Sequence, residues 1–181
     1  MSLAYAILGL LQEEERTGYD LKTSCFNQTV AHLWSADQAQ IYKTLDKLVE
    51  RGCITYTVEI QYERPNRKVC SVTEACKAEL VRWLQCHQPL PTVREPLLVQ
   101  LFFAAELPND AIVHLLLHQL VAHREKLADC ENNKLPPLGD RSASREQVMQ
   151  RLVLELVMRK EQTYIDWLST AIDLISCQKE E

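Results

Sequence analysis

The chain has 181 residues, a formal net charge of −5 and a pI near 5.6, a length that holds one or two small domains with a real core. That balance excludes a generally basic nucleic-acid coat, and no apolar run approaches the roughly 20 residues needed to span a bilayer. The charge is uneven: residues 1 to 87 carry ten Lys and Arg against eleven Asp and Glu, residues 88 to 181 ten against fourteen, so the nets are −1 and −4. The first part therefore keeps local positive clusters that can meet phosphates. Met1 to Leu11 lacks the basic start and cleavage site of a signal peptide, so a soluble, cytoplasmic protein is expected.

In chain order, Ser2 to Gln12 reads as a short helix with Leu3, Ile7, Leu10 and Leu11 on one face. Glu13, Glu14 and Glu15 end it as a solvated turn. Thr17-Gly18-Tyr19-Asp20 opens a second helix running to about Ala31, with Leu21, Cys25 and Val30 inward. Gly18 there lets the backbone pass close to a neighbour. His32, Leu33 and Trp34 turn into a third helix, Trp34 being read as a packing anchor.

That third helix, within Ser35 to Gly52, organises the chain. At about 100° per residue, Ile41, Leu45, Leu48 and Val49 share one face, and Ala36, Ala39, Gln40, Lys43 and Lys47 share the other. Ser35 suits an N-cap, Asp37 the positive end of the helix dipole, Arg51 the last turn and Gly52 the stop. An extended run, Cys53 to Gln61, then a tight basic stretch, Arg64-Pro65-Asn66-Arg67-Lys68, and a second extended run, Val69 to Val72, read as a two-stranded wing with a cationic tip. A helix from Thr73, with Ala78, Val81, Leu84 and Trp83 packed, completes this part by His87. Pro89, Pro91 and Pro96 then interrupt the pattern, giving domains 1–88 and 89–181.

The second part reads as helical throughout. Pro96 to Glu106 carries Leu97, Leu98, Leu101, Phe102 and Phe103. Pro108-Asn109-Asp110 starts a helix through Ala128 with Ile112, Leu116, Leu120, Val121 and Leu127 as its stripe. A loop from Leu135 to Asp140 precedes the longest element, opened by Ser142 or Ser144 and reaching about Cys177. Along it Leu154, Val157, Tyr164, Leu168, Ala171 and Ile175 keep spacings of three, four and seven, interrupted only where Glu161 falls on the seam. With Trp167 these positions are expected to form a dimer interface, because the apolar face is broader than neighbouring helices of its own domain would cover.

Leu3-Ala4-Tyr5-Ala6-Ile7-Leu8-Gly9-Leu10-Leu11, Thr17-Gly18-Tyr19-Asp20-Leu21, Gln40-Ile41-Tyr42-Lys43-Thr44-Leu45, Leu48-Val49-Glu50-Arg51-Gly52, Arg64-Pro65-Asn66-Arg67-Lys68 and Thr73-Glu74-Ala75 resemble, in order and spacing, the PadR family of bacterial transcriptional regulators. Leu97 to Ala104 followed by Leu107-Pro108 looks like the helical C-terminal domain of its virulence-activator-like branch. The resemblance implies a mainly α protein, with an N-terminal winged helix-turn-helix domain and a C-terminal all-helical dimerisation domain. It implies a homodimer that binds a pseudo-palindromic operator in double-stranded DNA, as a repressor by expectation. It also admits a small-molecule effector that the sequence does not locate. The family pattern is departed from at Cys70, Cys76 and Lys43, which leaves open a redox role for the two cysteines.

The expected DNA contacts are Gln38, Gln40, Tyr42, Lys43 and Lys47 on the third helix and Arg64, Arg67 and Lys68 on the wing. Glutamine can pair adenine twice, lysine reaches guanine or phosphate, and a tyrosine hydroxyl donates to phosphate. The plainer reading of each is a solvated helix face and a soluble hairpin tip; the alternative function is a winged-helix protein-interaction module without DNA binding. Neither a cofactor nor a metal is expected: His114 and His118 share a face, but nothing at ligand spacing completes a set. Seven cysteines without a Cys-x-x-Cys pair read as reduced thiols. No nucleophile with a neighbouring base and no paired catalytic carboxylates are found, so catalysis is not expected.

Overall fold

The computed structural model describes residues 2–60, 62 and 66–178. They form two compact units, Met1–Pro89 and Leu90–Glu181. Arg64 and Pro65, expected at the wing tip, lie outside the described residues.

The first unit is a winged helix. Helix α1 (Ser2–Glu13) is followed by a short strand β1 (Arg16–Thr17) and helix α2 (Gly18–Asp20), which continues as a π-helix over Leu21–Thr29. Thr17 caps α2, its hydroxyl accepting from the Asp20 amide while the Asp20 carboxylate accepts from the Thr17 amide. The π-helical continuation replaces the plain helix expected to Ala31. Its wider turn brings Phe26 round beside Leu21 and Cys25, so all three are buried. The recognition helix, α3 (Gln38–Glu50), starts later than Ser35. Asp37 is its N-cap, accepting from the Gln40 amide at 2.7 Å, while the Gln40 side chain accepts from the Asp37 amide at 3.2 Å. Ala36, expected on the outer face, precedes the helix and is buried; Val49, expected inward, lies at the exposed edge. Gly52 ends the helix with φ of +67°, a conformation that favours glycine.

Strands β2 (Ile54–Glu59) and β3 (Arg67–Val72) form the wing. The sheet has three strands rather than two, ordered β1-β3-β2, because Arg16 and Thr17 pair with Cys70 and Val69. Arg67 and Lys68 are the first residues of β3, opposite Glu59 and Val58, and not part of the turn itself. Helix α4 (Glu74–Gln85) closes the unit with a different face from the expected one: Cys76 and Leu80 are buried, whereas Ala78, Val81 and Leu84 are exposed. Its phase is set at Thr73, whose amide donates to the Cys53 carbonyl and whose hydroxyl donates to the Gly52 carbonyl, each at 2.9 Å. Trp83 lies half-buried and stacks on Tyr5, ring centroids 4.4 Å apart. Trp34, read as an anchor, is only partly covered, with 40% of its surface exposed.

The second unit contains α5 (Pro96–Phe102), a 3-10 turn at Ala104–Glu106, α6 (Asn109–Glu131) and α7 (Arg145–Cys177). Ser144 opens α7 through a capping box with Gln147. Its core joins Leu97, Ala104, Ile112, Leu116, Leu120, Ile165 and Leu168. Leu154 and Leu168 have no exposed surface at all. Val121, expected in the α6 stripe, faces out, and Cys130 closes the inner face at the far end.

Candidate nucleic-acid interface

Helix α3 offers two flanks to solvent. On one, Gln40, Lys43, Thr44 and Lys47 border a shallow groove with Leu3, Trp34 and Ser35. On the other, Tyr42, Leu45 and Asp46 join Thr17, Gly18, Tyr19, Asp20, Tyr56, Asn66, Arg67 and Lys68 around a cleft of about 810 Å³ between the helices and the wing. Lys43 and Lys47 face directly away from the buried Ile41, Leu45 and Leu48 and have no acidic partner among the described residues. Lys22 braces the approach to the helix by donating to the Ala36 carbonyl at 2.8 Å. Gln38 is exposed in the first turn.

Two of the expected contacts are partly committed elsewhere. Gln40 uses its carbonyl oxygen to cap α3, which ties the side chain to the Asp37 amide and away from free rotation toward an adenine edge. Arg67 donates to Asp20 at 2.7 Å. Burial works to raise the Asp20 pKa, but hydrogen bonds from Thr17 and the Arg67 charge outweigh it and hold the carboxyl below its usual range. The wing is thereby tied to α2 by an acid that lies 47 positions away in sequence. Lys68 lies over the Tyr56 ring, 5.8 Å from its centroid, at the mouth of the cleft. Tyr19 is exposed and lines the same cleft, although in sequence it reads only as part of a helix start.

The seam on α7 is divided. Leu154 and Leu168, expected at a dimer interface, are instead consumed by the core of their own unit, and Ala171 and Ile175 pack against the same cluster. Val157 is half-buried, and Trp167 remains exposed. A second apolar row, Met149, Leu152, Leu156 and Leu174, faces outward with Trp167, and Phe102 and Phe103 at the end of α5 are 82% and 72% exposed.

Tyr164, also expected at the interface, lines a cavity of about 450 Å³ within the second unit. Its hydroxyl donates to Glu95 and its ring stacks on His123, centroids 4.5 Å apart. The hydrogen bond to Glu95, with burial behind it, pushes the Tyr164 pKa up to about 12. Glu161, the residue that interrupts the seam, is the buried acid of this cluster, with an ion pair to Lys126 Nζ and a hydrogen bond to His123 Nδ1 at 2.5 Å each. Burial alone would raise its pKa; the bonds from Lys126 and His123 reverse that and leave it lowered. Arg94 and Lys160 line the same cavity without an acidic partner among the described residues. In sequence Glu161 read as a defect in a heptad pattern, although a lone acid on an apolar seam is itself a signal of a buried ion pair.

Among the described residues, one group could hold a metal: Cys53, Cys76 and Glu79, whose ligand atoms lie within 4.8 Å of one another. The two cysteines form a disulfide, where reduced thiols were expected. Cys70 is not paired with Cys76; it is free and buried, and burial pushes its thiol pKa up to about 11.

Comparison with known proteins follows the same division. Residues 7–82 match the Transcriptional regulator PadR-like family, and residues 93–176 match Virulence activator alpha C-term. The negative transcriptional regulator PadR of Bacillus subtilis is 35% identical over 177 residues, covering 96% of this chain and 97% of that protein. The crystal structure of Bacillus subtilis PadR in complex with operator DNA superposes with a TM-score of 0.82 at 35% identity, covering 97% of this chain and 99% of the other. That of the same protein in complex with p-coumaric acid gives 0.79 at 33% identity with the same coverage. The winged helix of the first unit, the helical second unit and a relative aligned along nearly the whole chain agree: this chain belongs to the PadR-like family of transcriptional regulators and is a DNA-binding protein.

Proposed function

We propose that the chain acts in the cytoplasm of a bacterium as a homodimeric repressor of a pseudo-palindromic operator, released by a small aromatic carboxylate. The observation that carries the DNA-contact part is the surface shared by α3 and the wing. Lys43 and Lys47 stand on its outer face, Tyr42 on its wing side, and Arg67 and Lys68 flank the cleft beyond. Bases would be met by the first turns of α3 and phosphates by the wing, since Asp46 and Glu50 further along repel phosphates.

Dimerisation is supported by the apolar surface that the second unit leaves uncovered. Met149, Leu152, Leu156, Trp167 and Leu174 on α7, with Phe102 and Phe103, are large side chains in water. A twin chain that buries this face by two-fold symmetry places two winged helices at a fixed spacing, suited to half-sites about 10 to 10.5 base pairs apart or a multiple of that. The seam is therefore displaced from Leu154 and Leu168 to the outward row.

The effector reading rests on the cavity of the second unit. It offers stacked rings of Tyr164 and His123 to an aromatic ligand and the free cations Arg94 and Lys160 to a carboxylate. Bacillus subtilis PadR has been crystallised with one such compound, p-coumaric acid.

Footprinting and sedimentation of the full chain test all three parts. A two-fold footprint from a dimer, lost on adding p-coumaric acid and kept in Arg94→Ala, is the expected result. A monomer that protects a single half-site would overturn the dimer, and ligand release undiminished in Arg94→Ala with Lys160→Ala would overturn the pocket.

A further inference from the structure

Cys53 and Cys76 stand 23 positions apart in sequence, with Cα atoms 5.1 Å apart and sulfurs bonded to each other. Their places matter more than their separation. Cys53 follows Gly52, where the recognition helix ends and the wing begins, and Cys76 is in the first turn of α4. The two segments are held together independently of the sulfurs, because Thr73 donates its amide to the Cys53 carbonyl and its hydroxyl to the Gly52 carbonyl. Backbone bonding thus keeps the two side chains facing each other whether or not the bond exists.

A protein that works on chromosomal DNA meets a thiol-reducing solvent, in which a disulfide is a group with two states rather than a permanent staple. We propose that Cys53 and Cys76 are a reversible redox-modification site, oxidised by a small peroxide, that latches the root of the wing and the end of the recognition helix onto α4 and tightens the hold on DNA. The proposal rests on DNA binding by this surface.

The chemistry is complete with the residues present. Cys76 is the attacking sulfur: it is 6% exposed against 1% for Cys53, so it is the one that a small peroxide reaches. Glu79 Oε2, 3.9 Å from Cys76 Sγ, is placed to take its proton, while Arg51 holds the other carboxylate oxygen at 2.8 Å. The Cys76 thiolate attacks hydrogen peroxide, an S–O bond forms as the O–O bond breaks, and the leaving hydroxide takes the proton back from Glu79 and departs as water. The Cys53 sulfur then attacks the resulting sulfenic acid; the S–S bond forms, the S–O bond breaks and water leaves. Two thiols and one peroxide give one disulfide and two waters, the two electrons passing from sulfur to oxygen. A dithiol reductant reverses the bond by exchange.

The other cysteines do not supply this chemistry. Cys25, Cys70 and Cys130 are buried and unpaired, and Cys86 and Cys177 are exposed and unpaired. Two thiols and a carboxylate also form a set that a soft divalent cation would accept, which makes zinc the competing occupant.

The full-length protein is reduced, then treated with hydrogen peroxide, and its thiols are counted by maleimide mass shift and mapped by non-reducing peptide analysis. The expected count falls from seven to five, with Cys53 and Cys76 in one cross-linked pair. The melting temperature of the oxidised protein should rise by roughly 10 to 25 °C, the order expected for cross-linking a loop of this length in a domain of this size. Operator Kd should fall about threefold, because the root of the wing is ordered before association. Cys76→Ser should lose both responses, and the Cys86→Ser, Cys177→Ser double variant should keep them. Oxidised protein in which Cys53 and Cys76 stay alkylatable would overturn the proposal, and so would a reduced protein that retains one zinc per chain. A bond that forms without moving melting temperature or Kd would equally refute it. These readouts are separate from the reduced protein's own DNA binding, which tests the interface itself.

Discussion

Gly18 gives the sharpest test of how the first unit presents its recognition helix. A Cβ at that position would lie 2.9 Å from Cε1 and Cζ of Tyr42 and 3.1 Å from Cδ1 of Leu45. Its φ is not positive, so alanine meets no backbone strain and the outcome depends on which neighbour gives way. Leu45 is 1% exposed and enclosed by the core, whereas Tyr42 is 41% exposed and free to pivot. Alanine gains up to about 1 kcal/mol over glycine in a helix, and overpacking costs about 1 to 3 kcal/mol. Gly18→Ala should therefore range from nearly neutral to about 2 kcal/mol less stable by thermal melting. Its DNA affinity should fall further. In the proposed interface a pivoted Tyr42 loses its hydroxyl contact to phosphate, and a hydrogen bond to a charged group contributes about 1.5 to 3 kcal/mol, so a rise in Kd of about tenfold or more is expected by fluorescence anisotropy. In a Tyr42→Ala background the closer contact is gone and only the 3.1 Å approach to Leu45 remains, so Gly18→Ala should then cost less stability and have little further effect on DNA affinity. Additive losses in the double variant, or an unchanged Kd in Gly18→Ala, would refute the reasoning.

Arg67→Ala should weaken binding to operator and unrelated DNA alike and reduce the salt slope by about one, whereas Asp20→Asn, by releasing Arg67, should strengthen both; a salt titration reads each. Leu168→Ala should cost the second unit about 2.7 to 5 kcal/mol in denaturant unfolding, while Leu156→Ala should leave that unfolding nearly unchanged and weaken self-association in sedimentation. Glu161 has a folded pKa below its ordinary 4.5, so its stabilisation is complete above that value and is lost as pH falls through the lowered one. Glu161→Gln should accordingly be less stable than the parent at neutral pH and show a flatter loss of stability between about pH 5 and pH 3 in acid unfolding.

Much of this molecule is legible before any coordinates are seen, because local chemistry acts over three or four residues. The recognition helix and its stop at Gly52 follow from periodicity and capping, which also narrow the start of α7 to Ser142 or Ser144, and a glycine at position 18 signals a close approach. The winged helix is likewise readable, since six short blocks in fixed order constrain one topology, and the helical second unit is readable from its apolar spacing and its separate resemblance.

What tertiary structure alone decided is which of two competing partners each side chain takes. An α7 with apolar residues on more than one side does not reveal which row its own core uses; packing against α6 assigns Leu154, Ile165 and Leu168 inward and leaves Leu156, Trp167 and Leu174 outside. The face of α4 was set by Thr73 bonding across to Gly52 and Cys53, a contact invisible to the period of the helix itself. Arg67 read as a free cation because its acid, Asp20, is remote in sequence, and Tyr164 read as apolar because Glu95 is remote as well. The disulfide has the same origin: seven cysteines permit many pairings, and only the fold brings Cys53 opposite Cys76. Periodicity and capping report the bonds a residue makes along its own helix; pairings across the chain depend on how the elements are laid against each other.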